Sequence, residues 1–333
     1  MRKNKIKIIF LFLLVIFFLC GWSQKIYLPP LSPEKEYSIY FSPQDHLYPH
    51  LISLIREAKE SIYAAFYEIE IPEIASALLE AHQRGLKVRV FTDDLTSEDK
   101  DSQCFHLRKF SIIKKDEDKE SFMHHKFCII DKKIVWTGSF NPTFRGAKEN
   151  NNVIIIKSPT LALKFLQEFE RLWEGKIPLM EENSPIFIDE IEAKVYFSPE
   201  DDCEEAILKE LMKAKESIHF ALFAFTSPRI AFYLIHKYAE NIEIKGIMEK
   251  DQDGPFSQYQ HFKKLKMHIK WDGNFYLMHH KFFIIDKKVV ITGSYNPTRH
   301  AREQNRENLL IIRSPAIAEK YEEEFTRMWR NRR

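Results

Sequence analysis

The residues that could do chemistry lie in one short segment that the sequence contains twice. It reads MHHKFCIIDKKIVWTGSFNPT from residue 123 and MHHKFFIIDKKVVITGSYNPT from residue 278. Each recurring position lies 155 residues after its partner: His124 and His279, Lys126 and Lys281, Asp131 and Asp286, Gly138 and Gly293, Ser139 and Ser294, Asn141 and Asn296. An imidazole can act as nucleophile, acid or base, and an ammonium can stabilise developing negative charge. The segment therefore predicts a duplicated site for covalent or acid–base chemistry.

The apolar run that follows each histidine indicates how these residues are positioned. FCII and FFII are typical of a strand that is buried on both faces, and on a strand the histidine and the lysine two positions later share one face. The adjacent His125 and His280 would point to the other face, and we interpret them as supports. Metal binding by the paired histidines is a competing hypothesis, but no further ligands stand at a recognisable metal-site spacing.

The pattern H-x-K-x4-D-x6-G-S-x-N, present in two copies, resembles the HKD signature of the phospholipase D superfamily, particularly its compact members. With the flanking repeats, the resemblance covers nearly all of the chain after about Tyr37. It implies that one histidine attacks a phosphodiester to give a phosphohistidine, while the other protonates the leaving alcohol and then activates water. No metal or other cofactor is required. The implied catalytic set is His124, His279, Lys126, Lys281, Asp131 and Asp286, with a mainly structural, charge-balancing role for the two aspartates.

The remaining repeated polar residues are assigned to the substrate phosphate. Lysine ammonium groups and asparagine amides would stabilise the charge of the transition state. The glycines would allow a turn and a close approach of the backbone. The predicted phosphate-binding set is Lys126, Lys281, Asn141, Asn296, Ser139 and Ser294.

The two copies differ downstream, where the second has Glu307 and the first has Asn151. In the family that the chain resembles, an acidic residue about this far beyond the signature holds the second ring nitrogen of the histidine. We predict that Glu307 orients His279 and that Asn151 faces His124, with Glu149 as a substitute if the register shifts. A carboxylate would stabilise the cation that attack creates, so the expected nucleophile is His279 and the expected proton donor is His124.

Sequence repeats outside the signature predict the fold. YFSP and AKESI each occur twice, 156 residues apart, and strands alternate with helices expected over 72–84, 159–173, 228–241 and 315–329. Ser158 and Ser314 are candidate N-caps. We predict an α/β protein: two repeated phospholipase D-like α/β/α domains with mixed sheets, related by a pseudo-twofold axis with the active site between them.

The predicted domains are residues 37–175 and 191–333, joined by a linker over 176–190. Residues 1–25 carry four basic residues before an apolar run over 8–20, which is the order of an export signal, and 26–36 form a second linker. We predict an exported chain, periplasmic, secreted or anchored at the membrane through its N-terminus. Cleavage, lipidation at Cys20 and retention stay open. The internal repeat predicts a monomer built as a pseudo-dimer.

Charge and composition leave two substrate classes. The formal net charge is +2, and it becomes −2 without the four basic residues at the head of the chain, which weakens a duplex-binding interpretation. The leading hypothesis is hydrolysis or transfer of phospholipid head groups. The alternative is an exported nuclease for single-stranded DNA or RNA, for which Arg299, His300, Arg302 and Arg306 could line a groove. Cardiolipin-synthase-like transfer and a non-catalytic binding protein are less favoured.

Overall fold

The computed structural model describes residues 36–175 and 183–331. The first half contains the strands β1 Tyr37–Ser42, β2 Ser61–Phe66, β3 Lys87–Thr92, β4 Ile113–Lys115, β5 Lys126–Ile130, β6 Ile134–Gly138 and β7 Asn151–Lys157. Its helices are α1 Leu47–Glu57, α2 Pro72–Gln83, α3 Cys104–Arg108 and α4 Pro159–Glu174, with a 3₁₀ turn at Thr96–Glu98.

The second half repeats this order with one additional strand and one additional short helix. Its strands are β8 Ile186–Ile188, β9 Ile191–Ser198, β10 Ser217–Leu222, β11 Glu243–Met248, β12 His268–Trp271, β13 Lys281–Ile285, β14 Val289–Gly293 and β15 Glu307–Arg313. Its helices are α5 Cys203–Lys213, α6 Pro228–Ala239, α7 Tyr259–Lys264, α8 Arg299–Glu303 and α9 Pro315–Arg330, with a 3₁₀ turn at Lys250–Gln252.

Each half is built on one mixed sheet. The strand order is β1-β7-β6-β5-β2-β3-β4 in the first and β12-β11-β10-β13-β14-β15-β9-β8 in the second. The strands β2, β3 and β4 run parallel, as do β10, β11 and β12, whereas the remaining neighbours are antiparallel. The predicted α/β class, with two repeated domains and mixed sheets, is confirmed. The signature strands β5 and β13 lie in the middle of their sheets, where both faces are covered.

Local sequence signals set the ends of the long helices. Ser158 and Ser314 cap α4 and α9 as predicted, accepting hydrogen bonds from the amides of Leu161 and Ile317 at 3.2 and 3.5 Å. A proline follows each cap, where its missing N–H costs nothing. The four predicted helices therefore begin at the expected prolines and end within two residues of the expected positions.

The two signature hairpins need unusual backbone at their tips and ends. Asp131 and Asp286 have φ angles of 52° and 51°, and the lysine after each also lies in the left-handed region, as a tight hairpin requires. Gly138 and Gly293 have φ angles of 152° and 138°. A Cβ at either glycine would collide with a backbone carbonyl oxygen of the neighbouring strand, so no other residue fits there.

The halves share one apolar core. Phe127, Phe165 and Phe169 of the first half and Phe282 and Phe325 of the second belong to a single buried cluster between the sheets and helices α4 and α9. Each half also has its own core on the far side of its sheet. Burial of this central cluster fixes one half against the other, which is what a site built from both halves needs.

Part of the predicted linker is ordered differently from the prediction. Residues 186–188, inside the predicted 176–190 linker, form β8, which pairs antiparallel with β9. Ile186 and Ile188 are buried by this pairing, and that burial explains why the segment is held as an edge strand. The predicted export segment 1–25 and the linker over 26–35 lie outside the described residues. Within the described residues, no helix has the length and hydropathy needed to cross a membrane.

Candidate active site

Backbone pairing between the halves sets the position of both signature histidines. The amide of His124 donates to the carbonyl of Arg306, and the amide of His279 donates to the carbonyl of Asn150, each at 2.9 Å. Each histidine stands two residues before the start of its signature strand, and its backbone is hydrogen-bonded to the other half. The pseudo-twofold relation therefore brings both imidazoles to one site between the sheets.

The group that orients each imidazole also comes from the opposite half. Nδ1 of His124 lies 2.8 Å from Oε2 of Glu307, and Nδ1 of His279 lies 2.9 Å from Oδ1 of Asn151. The predicted pairing was therefore wrong: Glu307 does not face His279, and Asn151 does not face His124. The cause is the backbone pairing between the halves. His124 pairs with Arg306, so the next residue, Glu307, lies beside it, and His279 pairs with Asn150, so Asn151 lies beside it. Nε2 is the ring nitrogen left for chemistry in both cases.

Glu149 does not replace Asn151 as a partner of either histidine. It pairs instead with Arg145 at 3.1 Å, and its Oε2 lies 3.4 Å from the amide nitrogen of Asn151.

The two signature lysines occupy equivalent positions. Each Nζ donates to the carbonyl of the histidine two residues earlier, at 2.6 Å for both Lys126 and Lys281. The ammonium of Lys126 lies 5.0 Å from the ring centroid of Tyr67, and that of Lys281 lies 4.9 Å from Phe223. These contacts fix both cations beside the imidazoles, where they can attract a phosphate.

Burial and mutual repulsion change the protonation of the site. Burial lowers the pKa of both His124 and His279 well below 6.5, and the charges of the two lysines lower it further. Burial also lowers the pKa of Lys126 to about 8 and raises that of Glu307 to about 7. Both rings are consequently neutral at neutral pH before substrate binds. A bound phosphodiester anion would offset the lysine charges and make protonation of one ring easier.

Asn141 and Asn296 lie next to this cluster at the end of the hairpins, each 9% exposed. The side-chain oxygen of Asn141 is buried without a hydrogen-bond partner, and that of Asn296 accepts from the Ala224 amide at 3.4 Å. Their positions are compatible with the predicted contact to substrate phosphate, which stays a prediction.

The structure does not place the two signature serines where they can bind phosphate. Ser139 and Ser294 are fully buried. The Ser139 hydroxyl donates to Oδ1 of Asn151 at 2.9 Å and accepts from the amide of Asn152, and the Ser294 hydroxyl accepts from the amide of Asn308. Both serines therefore support the strand that carries the histidine-orienting group, and we remove them from the phosphate-binding set.

The signature aspartates lie at the opposite end of the strands from the histidines. Asp131 accepts hydrogen bonds from three successive amides, those of Lys59, Glu60 and Ser61, and Asp286 does the same for residues 215–217. His124 lies before the first residue of β5 and Asp131 follows its last, so the five residues of the strand, about 16 Å in length, separate them. Their inclusion in the catalytic set was wrong, because they organise the turn before β2 and β10.

Buried carboxylates behind the site were missed by the sequence reasoning. Nε2 of His125 lies 2.9 Å from Glu168, and Nε2 of His280 lies 3.3 Å from Glu324. The sequence E-F-x-R-x-W that carries these glutamates occurs in both α4 and α9, and this repeated pattern was the available signal. The supporting role predicted for His125 and His280 fits these contacts.

The arginines after the second signature are paired with carboxylates. Arg299 pairs with Glu303 at 2.8 Å, Arg302 with Asp202 at 3.0 Å, and Arg306 with Glu200 at 2.6 Å. Because each guanidinium already has a carboxylate partner, these contacts favour a surface loop over a phosphate-tracking groove, and the groove of Arg299, His300, Arg302 and Arg306 stays a prediction.

Comparison with known proteins agrees with the geometry. The family model described as "Cardiolipin synthase, PLD-like domain" matches the chain twice, over residues 51–173 and 207–329. A mitochondrial cardiolipin hydrolase of Xenopus tropicalis is 33% identical over 151 residues, which cover 45% of this chain and 72% of the relative. A phospholipase D of Rickettsia typhi is 34% identical over 143 residues, covering 43% of this chain and 70% of the relative.

A solved structure covers both halves at once. The phosphatidylserine synthase of Haemophilus influenzae Rd KW20 has a TM-score of 0.67 over 89% of this chain and 86% of its own, at 12% identity, and this likeness shows the fold. The chain therefore belongs to the phospholipase D superfamily, carries its domain twice and, by that membership, is a phosphoric diester hydrolase.

Proposed function

We propose that the protein hydrolyses phospholipid head groups through a phosphohistidine on His124. The observation that carries this assignment is the 2.8 Å contact between His124 Nδ1 and Glu307. A carboxylate that accepts from Nδ1 fixes the tautomer whose Nε2 lone pair can attack, and it stabilises the cation formed by attack. Asn151 gives His279 a fixed orientation but no compensating charge. This reverses the assignment expected from the sequence.

The reaction has two displacements at phosphorus. Nε2 of His124 attacks, the bond from phosphorus to the head-group oxygen breaks, and His279 gives its Nε2 proton to the departing alcohol. His279 then removes a proton from water, the water oxygen bonds to phosphorus, and the bond to His124 breaks. Lys126 and Lys281 stabilise the negative charge in both transition states. No step in this scheme requires a metal ion, and we expect full activity in excess EDTA.

A nuclease using the same residues is the second candidate. The charge distribution favours it less, because Arg299, Arg302 and Arg306 are paired with carboxylates. The loop over 93–101, which follows β3, carries five acidic residues and one lysine. Glu98 pairs with Arg108 and Lys115, and the remaining carboxylates would repel a polyanion. Phospholipids present one phosphodiester at a time and do not need an extended basic surface. The order of charge and apolar residues over 2–20 also supports our proposal of an exported enzyme.

The full chain should be incubated in parallel with phosphatidylcholine, phosphatidylglycerol and labelled single-stranded DNA, all with EDTA. We expect head-group release from lipid that is lost in His124→Gln. Cleavage of DNA with no release from either lipid would overturn the proposed substrate class, and activity restored only by added zinc would overturn the metal-free scheme.

Acid quench of the reaction with phosphate-labelled substrate, followed by peptide mapping, tests the covalent step. Label should appear on the peptide that contains His124. Label on the peptide that contains His279 would refute the assigned roles and leave Glu307 as the partner of the acid.

A further inference from the structure

A cavity of about 420 Å³ opens in the second half, at the ends of β11 and β12. Its lining combines carboxylates with aromatic rings. The carboxylates belong to Glu249, Asp251 and Asp272, and the rings to Trp271, Phe275 and Tyr276. Phe275 is 86% exposed, so its ring is accessible from solvent at the mouth of the cavity.

The cations near this cavity do not neutralise it. Nζ of Lys270 donates to three carbonyls at the end of α9, those of Met328, Trp329 and Asn331, at 2.8–3.2 Å. Its charge is therefore directed at the negative end of a helix. Lys250 is exposed. A further lysine, Lys148, has its Nζ 5.4 Å from the centroid of Tyr276 and so already lies over one of the three rings. Among the lining residues the three carboxylates outnumber the two lysines, so the lining favours a positively charged guest at Trp271 and Phe275.

Two of the carboxylates are held in place by the surrounding backbone. Oδ2 of Asp272 accepts from the side-chain amide of Asn150 and from the amide of Asn274, at 3.0 and 2.8 Å. Glu249 accepts from the amides of Asp251 and Met278, at 2.9 and 2.6 Å. The positions of both carboxylates are therefore fixed before any ligand arrives, and burial raises the pKa of Glu249 above its usual value.

None of the three lining rings has an aromatic counterpart in the other half. Lys114 is the counterpart of Lys270 and also donates to a carbonyl at the end of its helix, that of Trp173, at 3.1 Å. Around it, however, the positions of Trp271, Phe275 and Tyr276 are taken by Lys115, Glu120 and Ser121. The cavity is thus a feature of one half and not a by-product of the duplication.

The cavity is continuous with the segment that leads to His279. Leu277, which lines it, is two residues before His279, so their Cα atoms are at most about 7.6 Å apart. Glu249 also holds the amide of the intervening Met278. Under the proposed function, His279 protonates the leaving alcohol, which places the departing head group on this side of the phosphorus.

We propose that this cavity binds the ammonium group of an amino-alcohol head group. Aromatic faces and carboxylates together attract an alkylated or primary ammonium ion, whereas a glycerol head group gains neither interaction. The inference rests on the proposed function, because it takes the leaving group to be the lipid head group. It names the substrate class within that function: phospholipids whose head group carries a positive charge.

The test compares the kcat/KM of the full chain for phosphatidylcholine and for phosphatidylglycerol, each at the same low mole fraction in neutral detergent micelles so that the negative charge of phosphatidylglycerol changes the surface little. We expect the wild-type protein to prefer phosphatidylcholine. Phe275→Ser and Asp251→Asn should each reduce the preference about two- to fivefold, the size of an exposed cation–π contact. Phe256→Ser is the matched control, because Phe256 is 79% exposed in a loop of the same half but does not line the cavity.

Two further measurements separate the outcomes. Hydrolysis of bis(4-nitrophenyl) phosphate by the wild-type protein reports the phosphodiesterase chemistry without a head group, so its absence counts against the proposed function alone. Calorimetry with choline chloride reports the cavity without catalysis, and Phe275→Ser should weaken that binding by the same factor. An unchanged lipid preference in both cavity variants overturns the proposal, even if free choline binds. The absence of choline binding in the wild-type protein also overturns it.

Discussion

The two halves have the same backbone around the catalytic histidines but different chemistry at their second ring nitrogen. Glu307 contacts His124 and Asn151 contacts His279, at 2.8 and 2.9 Å respectively. The geometry is nearly the same, yet a carboxylate can carry charge and an amide cannot. Under the proposed mechanism, this one difference lets a duplicated fold assign two roles to two equal histidines. Because each orienting residue comes from the other half, neither half has a complete site alone.

The largest loss of activity should come from replacing either signature histidine with glutamine. His124→Gln should reduce kcat/KM by about 10⁴-fold or more with any substrate, because no nucleophile is left. His279→Gln should be as poor with phospholipid, but should still release one equivalent of nitrophenol rapidly from bis(4-nitrophenyl) phosphate, a leaving group that needs no acid. A stopped-flow burst seen in His124→Gln and not in His279→Gln would reverse the roles of the two halves.

Removing the charge from Glu307 should cost more than removing the amide from Asn151. Glu307→Gln is expected to lower kcat/KM by about 10³-fold, because the phosphohistidine cation loses its counter-charge, whereas Asn151→Ala should cost about tenfold. The pKa of Glu307 is raised to about 7, so wild-type kcat/KM should increase as the pH rises through about 7. Glu307→Gln should lack this increase. Equal losses in the two variants would show that both side chains only position their rings.

Where the halves are alike, mutations should have like effects. Lys126 and Lys281 make the same 2.6 Å contact to a histidine carbonyl. Lys126→Met and Lys281→Met should each lower kcat by about 10²- to 10³-fold, the usual effect of losing one positioned donor to a transition-state oxyanion. Thermal melts provide the control for folding. A loss confined to one lysine would show that the asymmetry extends from the histidines to the phosphate.

The buried carboxylate should also lower the stability of the protein. The pKa of Glu307 rises from 4.5 unfolded to about 7 folded, mainly through burial. A raised carboxyl pKa means that the folded state binds the proton more tightly than the unfolded state does. The stability that this bound proton contributes is lost as the pH rises from about 4.5 to 7. Glu307→Gln should therefore increase the free energy of unfolding at pH 8 by up to about 3 kcal/mol. Urea titrations at pH 5 and 8 measure this, and a variant less stable than wild type at pH 8 would contradict it.

Sequence patterns could predict the elements but not all the pairings. Alternating strands and helices and the serine caps each depend on neighbours in the chain, and the structure has them at the predicted places. The pairing of Glu307 with His124 depends on which strand of the other half runs beside each signature, and spacing along the chain does not contain that information. The serines were misassigned for a similar reason. A hydroxyl beside a glycine turn looks available in a sequence, but the neighbouring strand buries it.

The smallest effects on activity should come from the signature aspartates, although they are among the most regular features of the motif. Each carboxylate accepts from three backbone amides at a turn far from the histidines, and the hydrogen bonds of the two halves agree within 0.1 Å. Hydrogen bonds to a charged acceptor are stronger than neutral ones, so Asp131→Asn and Asp286→Asn should each lower the free energy of unfolding by about 1–2 kcal/mol.

Because the turn before β2 or β10 supports the sheet and not the reacting atoms, kcat/KM of either variant at 25 °C should stay within about threefold of wild type. Denaturant titration and steady-state kinetics on the same preparations measure both quantities. A variant with normal stability and a loss of activity comparable to that of the lysine variants would return the aspartates to the catalytic set. A large difference between Asp131→Asn and Asp286→Asn would instead show that the two halves contribute unequally to folding, as we propose they do to the chemistry.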